Sequence, residues 1–212
     1  MGDTIILGLD LGLATCGVAV IDLGIVHEHD RVVAFDVIVT EASAKKRNVR
    51  ATADNVRRIR ELYDGLLKHV SRRLPALICA EEQSWPRNSS TCAKIGMAWG
   101  VMVSLAAMYK IPLLQVSPKQ IKESVCGQAS ASKEDVRSAL EKRYTNLPPW
   151  PAKKSTIEHA ADALGAFVAC LEDDMLQMAR GPVSGQRQPL VSTWAGIGPE
   201  NKERQCPESK SD

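Results

Sequence analysis

Short runs of apolar and β-branched residues dominate the N-terminal part of the chain. They predict three sequential strands at residues 4–10, 15–22 and 31–40. Gly12 permits a tight turn between the first two strands. Strands that follow one another through short turns are typical of an antiparallel meander. The chain is therefore expected to open with three antiparallel strands.

The spacing of apolar residues changes after the third strand. From residue 48 to about residue 72 they recur every three or four positions, which predicts an amphipathic helix. Further strands are expected at residues 76–81 and 112–116. Helices are expected at residues 90–109, 118–125, 132–143 and 156–178. Ser155 and Glu158 have the spacing of a capping box, so Ser155 is the expected N-cap of the last helix.

The order of these elements indicates an α/β protein with an RNase H-like fold. We expect a five-stranded mixed sheet flanked by helices, formed by residues 1–180 as one domain. From Gly181 onward Gly, Pro, Ser, Gln and charged residues predominate, and few residues could join a core. Residues 181–212 are therefore expected to be a disordered C-terminal tail.

Composition narrows the class of protein without identifying it. The 212 residues have a net charge of +2, which alone does not indicate a nucleic-acid-binding protein. The six cysteines are scattered without a CxxC pair, which argues against a zinc site and favours free thiols in a reducing cytoplasm. The longest uncharged run, residues 95–109, is too short to span a bilayer, so we expect a buried helix and no membrane contact.

Acidic residues occupy positions that favour a metal centre. Asp10 ends the first strand, and Glu81 and Glu82 end the fourth, where alternation directs only one of the two inward. His159 and Asp162 lie three residues apart on one face of the last helix. Oxygen ligands with one imidazole suit Mg²⁺ or Mn²⁺ better than zinc. The positive end of the helix dipole is expected to keep His159 neutral.

Five motifs, in order, resemble the RuvC family of Holliday junction resolvases. The first is the strand ending in Asp10-Leu11-Gly12, and the second is the Glu82-Gln83 pair. The other three are residues 88–96, residues 116–122 with Gly127, and the His159-Ala160-Ala161-Asp162 segment. The resemblance extends from Thr4 to about Ala169. Residues 24–48 and the tail match the family poorly, which leaves substrate preference open.

The resemblance implies a crossover junction endodeoxyribonuclease that uses two Mg²⁺ ions, with Mn²⁺ as a substitute. It implies that Asp10, Glu82, His159 and Asp162 are the catalytic metal ligands, and it favours Glu82 over Glu81 because Gln83 follows directly. The family commonly has Asp at the position of His159. A metal-ligand role and a proton-transfer role for this histidine both stay open.

The resemblance also implies how the chain contacts DNA and a second copy of itself. Lys119, Lys122 and Lys133 match positions linked to contacts with the DNA backbone, and Trp85 matches an aromatic residue that stacks at the opened junction centre. Trp85 could alternatively be a core residue. The family dimerises through the helix at residues 90–109, so a homodimer acting on a branched, four-way DNA junction is expected.

Other functions remain open at this stage. An RNase H-like nuclease that cuts flaps or other branched DNA would have the same acidic residues. A sugar-kinase-type ATPase also begins with a strand, an Asp and a glycine turn, but this chain is too short for its paired domains. A non-catalytic junction-binding protein would not need the complete acidic set.

Overall fold

One mixed sheet forms the centre of the protein. The computed structural model describes residues 4–24, 29–43, 50–82 and 87–181. The strands are β1 Thr4–Asp10, β2 Thr15–Leu23, β3 Arg31–Val39, β4 Leu77–Glu81 and β5 Leu113–Val116. They lie in the order β3-β2-β1-β4-β5. The first three are antiparallel neighbours, whereas β4 is parallel to both β1 and β5. The predicted five-stranded mixed sheet is confirmed.

Helices cover both faces of this sheet. They are α1 Ala51–Arg72, α2 Ser89–Tyr109, α3 Pro118–Cys126, α4 Lys133–Arg143, α5 Lys154–Ala169 and α6 Asp174–Arg180. The single helix predicted at residues 156–178 is in fact divided into α5 and α6. The division falls at Asp173, whose carboxylate accepts a hydrogen bond from the backbone N–H of Met175 at 2.9 Å and so caps a new helix.

Alternation along β1 separates two hydrophobic cores. Ile5, Leu7 and Leu9 pack on the side of the sheet that is covered by α1 and α2. Ile6 faces the other side, where α5 supplies the fully buried Phe167. Because successive side chains of a strand point to opposite faces, Asp10 shares the face of Ile6 and therefore points toward α5.

Two glycines let α5 lie directly against the sheet. A Cβ atom at Gly8 of β1 would overlap the carbonyl oxygen of Ala163, and one at Gly17 of β2 would overlap that of His159. Gly17 is also the cross-strand partner of Asp10. Glycine is therefore required at both positions for the first half of α5 to approach the end of β1.

Helix α2 is apolar on its buried and on its exposed sides. Trp99, Met102 and Leu105 are buried against the α1 side of the sheet. Gly100 and Val103 are exposed, and a Cβ atom added at Gly100 would meet no atom within 4 Å. Among the described residues, α2 is the one helix whose length and composition would allow it to cross a membrane. The packing of α2 against α1 agrees with the prediction of a core helix. The side of α2 that carries Gly100 and Val103 is apolar and exposed.

A buried ion pair attaches α6 at the sheet edge opposite Asp10. The Arg180 guanidinium lies 2.6 Å from the Asp30 carboxylate, and the two side chains are 5% and 0% exposed. Arg180 also donates to the carbonyl of Gly24 at 2.9 Å. The folded part of the chain therefore includes Arg180. Of the predicted tail, residues 181–212, all but Gly181 lie outside the described residues, so the boundary at residue 180 stays a prediction.

We expect Arg180→Ala to lower the free energy of unfolding by about 3 kcal/mol, because it leaves the Asp30 carboxylate buried without its partner. Urea denaturation measures this difference. The matched control is Arg31→Ala, which removes an exposed arginine from its 3.0 Å ion pair with Asp22 and is expected to change stability by less than about 1 kcal/mol. Equal effects of the two substitutions would contradict this account of α6.

Candidate active site

Three carboxylates converge at one edge of the sheet. Oxygen atoms of Asp10, Glu81 and Asp162 all lie within 4.8 Å of one another. Asp10 and Glu81 are the last residues of β1 and β4, which are parallel neighbours and therefore end side by side. Asp162 reaches the same point from α5, which packs closely over these strands. The structure thus brings together residues that are far apart in sequence.

The third acid in this cluster is Glu81, whereas Glu82, the predicted ligand, lies outside it, and the catalytic role of either glutamate stays a prediction. Leu77 and Cys79 of β4 belong to the core under α5, so alternation directs Glu81 toward the same face. The backbone N–H of Glu82 donates to the carbonyl of Val116 at 2.8 Å, and its side chain is exposed. Glu82 is therefore not one of the three acids that converge here. The alternation from Leu77 to Glu81 is the sequence signal that could have indicated this orientation.

His159 contacts the acidic cluster through Asp10. Its Nδ1 lies 2.6 Å from Oδ2 of Asp10, and the hydrogen bond with this carboxylate raises the pKa of the imidazole. The helix end was expected to keep the ring neutral, whereas the Asp10 contact acts in the opposite direction because it raises the pKa of the imidazole. The expected cap is also corrected: α5 begins at Lys154 after Lys153, without a side-chain cap, so Ser155 is not the N-cap.

Burial and neighbouring negative charge disfavour ionisation of Glu81 and Asp162. Burial, followed by the charges of Asp10 and Asp162, raises the pKa of Glu81 to about 7. Burial and the Asp10 charge likewise raise the pKa of Asp162. Lys133 borders these groups, since its Nζ lies 3.6 Å from Asp162 and 2.8 Å from Glu158. Concentrated negative charge of this kind favours a divalent cation.

The predicted DNA-contacting residues lie in different places. Lys133 is the first residue of α4 and reaches the acidic cluster, a closer association than sequence alone indicated. Lys119 is 72% exposed in the first turn of α3 and pairs with Glu123 at 3.7 Å. Lys122 is a half-buried residue of the same helix. Trp85 lies outside the described residues.

The fold and the acidic centre define a class of protein, namely a metal-dependent hydrolase with an α/β sheet. Carboxylate oxygens held this close are the ligands that hard divalent cations prefer, and Glu81 and Asp162 keep raised pKa values although Lys133 and His159 act to lower them. The residues therefore fit a divalent metal ion.

Comparison with known proteins gives the family. The family model for crossover junction endodeoxyribonuclease RuvC matches residues 6–170. The RuvC protein of Natranaerobius thermophilus is 31% identical over 160 residues, which cover 76% of this chain and 89% of the relative. That of Pseudothermotoga lettingae is 32% identical over 161 residues, with coverages of 76% and 89%. The chain belongs to the RuvC family of crossover junction endodeoxyribonucleases, as its motifs indicated.

Solved structures confirm the fold class. RuvC of T. thermophilus in complex with a Holliday junction substrate aligns with a TM-score of 0.63 at 23% identity, covering 78% of this chain and 92% of that one. The yeast mitochondrial Holliday junction resolvase Ydc2 aligns with a TM-score of 0.58 at 13% identity, covering 84% and 80%. At these identities the likeness concerns the fold alone.

We expect Glu81→Gln and Glu82→Gln to differ sharply in DNA cleavage. Glu81→Gln removes a carboxylate ligand from the acidic centre and so weakens the stabilisation of the transition state by the metal. A loss of several kcal/mol in that stabilisation corresponds to a rate loss of roughly a hundredfold or more. Glu82→Gln changes an exposed side chain and is expected to retain the rate within about twofold. Single-turnover cleavage of a labelled junction measures both. A severe loss in Glu82→Gln with a mild loss in Glu81→Gln would reverse the assignment.

The raised pKa of Glu81 predicts how stability depends on pH without metal. The Glu81 carboxyl has an ordinary pKa of 4.5 and a pKa of about 7 in the folded protein. Its contribution to the free energy of unfolding is therefore complete below pH 4.5 and is lost as the pH rises through 7. Wild type should therefore lose stability relative to Glu81→Gln between about pH 5 and pH 8, on the order of 1–2 kcal/mol after solvent screening.

Thermal melts of the two proteins across this pH range, in EDTA and in Mg²⁺, test this expectation. The divalent ion binds the ionised acids, so it should raise the Tm of wild type more at about pH 8 than at about pH 5.5. Glu82→Gln is the matched control and should follow wild type. Parallel curves for wild type and Glu81→Gln would show that Glu81 does not titrate in this way.

Proposed function

We propose that this protein resolves four-way DNA junctions by paired, symmetric nicks during recombination and repair, with Asp10, Glu81, His159 and Asp162 as its catalytic centre. The observation that carries the proposal is the convergence of three carboxylates within 4.8 Å, in a chain of the RuvC family. RuvC of T. thermophilus has been solved with a Holliday junction substrate, which supports the same substrate here.

Mg²⁺ is the proposed cofactor, with two ions at each centre and Mn²⁺ as a substitute. Asp10, Glu81 and Asp162 would hold the metal, since their converging oxygen atoms and the raised pKa values of Glu81 and Asp162 fit a hard divalent cation. When bound, the metal supplies a water molecule of lowered pKa for attack on the phosphodiester and stabilises charge on the leaving oxygen.

The protein's own groups orient the acids and move protons. In the neutral tautomer, Nδ1–H of His159 donates to Asp10 and fixes the direction of that carboxylate. The second ring nitrogen, Nε2, is then available to accept a proton from the attacking water. Lys133 lies beside Asp162 at the border of the cluster, where its ammonium can contact a phosphate of the bound strand.

The proposed DNA surface extends from this centre along α3. The helix begins directly after β5, so its N-terminus and Lys119 lie at the same edge of the sheet as the acids. Ser117 caps this helix by accepting from the backbone N–H of Gln120 at 3.2 Å. Lys119 and Lys122 would contact phosphates, which makes binding dependent on salt. Trp85, which follows β4, keeps its proposed stacking role.

A homodimer would give the two symmetric nicks. The outer face of α2, with Gly100 and Val103 exposed, is the proposed contact between two copies, because a face without bulky side chains permits close backbone approach. This arrangement would place two acidic centres on opposed strands. The buried free thiols of Cys16, Cys79 and Cys170 support the proposed location in the reducing cytoplasm.

A labelled mobile four-way junction tests the proposal directly. Wild type in Mg²⁺ should give paired symmetric nicks, whereas wild type in EDTA and Asp10→Asn in Mg²⁺ should give none, because the metal centre is incomplete in each case. Matched duplex and flap substrates are run beside the junction. Cutting of flaps but not junctions would indicate a different branched-DNA nuclease, and binding without cutting in Mg²⁺ or Mn²⁺ would indicate a non-catalytic junction-binding protein.

A further inference from the structure

The turn that follows Asp10 is held from the opposite side of the sheet. After Asp10 the chain reverses through Leu11, Gly12, Leu13 and Ala14 before β2 begins. A Cβ atom at Gly12 would lie 2.7 Å from the carbonyl oxygen of Thr15, so the reversal is tight. A change in this turn would move the end of β1, and with it the Asp10 carboxylate.

Thr40 binds two consecutive carbonyls of this turn. It directly follows β3 and is only 2% exposed. Its backbone N–H donates to the carbonyl of Ala14 at 2.9 Å, and its hydroxyl donates to the carbonyl of Leu13. Because one residue satisfies both carbonyls, the position of Thr40 sets the position of the turn.

Arg58 determines the direction of the Thr40 hydroxyl. This arginine of α1 is 6% exposed, and its Nε–H donates to Oγ1 of Thr40 at 3.0 Å. A hydroxyl has one hydrogen, so an oxygen that accepts from Arg58 directs that hydrogen to Leu13. The hydrogen bonds therefore run in one direction, from Arg58 through Thr40 to the turn.

The Asp10 carboxylate has little freedom for displacement. It lies 2.6 Å from His159 and within 4.8 Å of Glu81 and Asp162. Metal sites and nucleophilic attack both tolerate only small displacements of their groups. Arg58 and Thr40 belong to the α1 side of the sheet and contact none of these acids, so they can act on them only through the turn.

From these contacts we infer that Thr40 and Arg58 are positioning residues, which hold the turn after Asp10 and thereby place its carboxylate for metal binding and DNA cleavage. The inference deepens the proposed function and rests on it for the cleavage step. The part of the inference that concerns metal binding requires only that Asp10, Glu81 and Asp162 bind a metal ion.

Thr40→Val tests the inference, because valine has a similar shape and lacks the hydroxyl. We expect it to weaken Mn²⁺ binding to the DNA-free protein, and to slow single-turnover junction cleavage, by about tenfold or more. Junction affinity in EDTA should stay within about twofold, since no DNA contact changes. Thr40→Ser restores the hydroxyl and should recover most of both properties.

Ser43→Ala is the matched control for the neighbouring connection. The Ser43 hydroxyl donates to Asp54 of α1 at 2.6 Å, so this variant loosens the segment after Thr40 without touching the turn. It should bind Mn²⁺ and cut as wild type does. Should Thr40→Val fail to fold, Arg58→Lys removes the directed guanidinium contact while keeping the charge, and the same loss of Mn²⁺ affinity is expected.

Isothermal titration with Mn²⁺ separates this inference from the proposed function. If wild type binds Mn²⁺ but does not cut junctions, the proposed function fails, and the ratio of Mn²⁺ affinities between Thr40→Val and Thr40→Ser still decides the inference. Equal Mn²⁺ affinities in wild type and Thr40→Val would overturn it. It would also be overturned by an equal loss in Ser43→Ala, or by wild type that binds no Mn²⁺.

Discussion

Mutual repulsion among three converging carboxylates is the constraint around which this protein is organised. Asp10, Glu81 and Asp162 lie close together, and burial and the neighbouring carboxylates raise the pKa values of Glu81 and Asp162. Such a cluster is unfavourable by itself and favourable around a divalent cation. The structure therefore has to hold the acids together by packing that does not depend on the metal.

Packing on both faces of the sheet holds the acids in place. On one face, Gly8 and Gly17 let α5 lie against the strands, which brings His159 and Asp162 to the end of β1. On the other face, Thr40 fastens the turn after Asp10 and is itself held by Arg58 of α1. Asp10 is thus supported on both sides, while its carboxylate faces the open edge where DNA would bind.

Local pattern predicted most of the fold. The strands and helices were recognisable because side chains on a half-buried strand alternate and those on a helix repeat every three to four residues, whatever their distant neighbours are. The exceptions depend on competing local contacts. Asp173 caps a new helix where one continuous helix was expected, and α5 starts at Lys154 although Ser155 and Glu158 have capping-box spacing.

The sequence by itself determined the order of the elements from β1 to α5, the candidate acids Asp10 and Asp162 with His159, and membership of the RuvC family, because these depend on residue type and spacing along one chain. Only the tertiary structure decided which glutamate joins them, since the choice between Glu81 and Glu82 follows from the register of β4 between β1 and β5. It also decided that His159 contacts Asp10 and that Lys133 reaches Asp162. These contacts join residues far apart in sequence, and their distances are set by how closely α5 packs on the sheet.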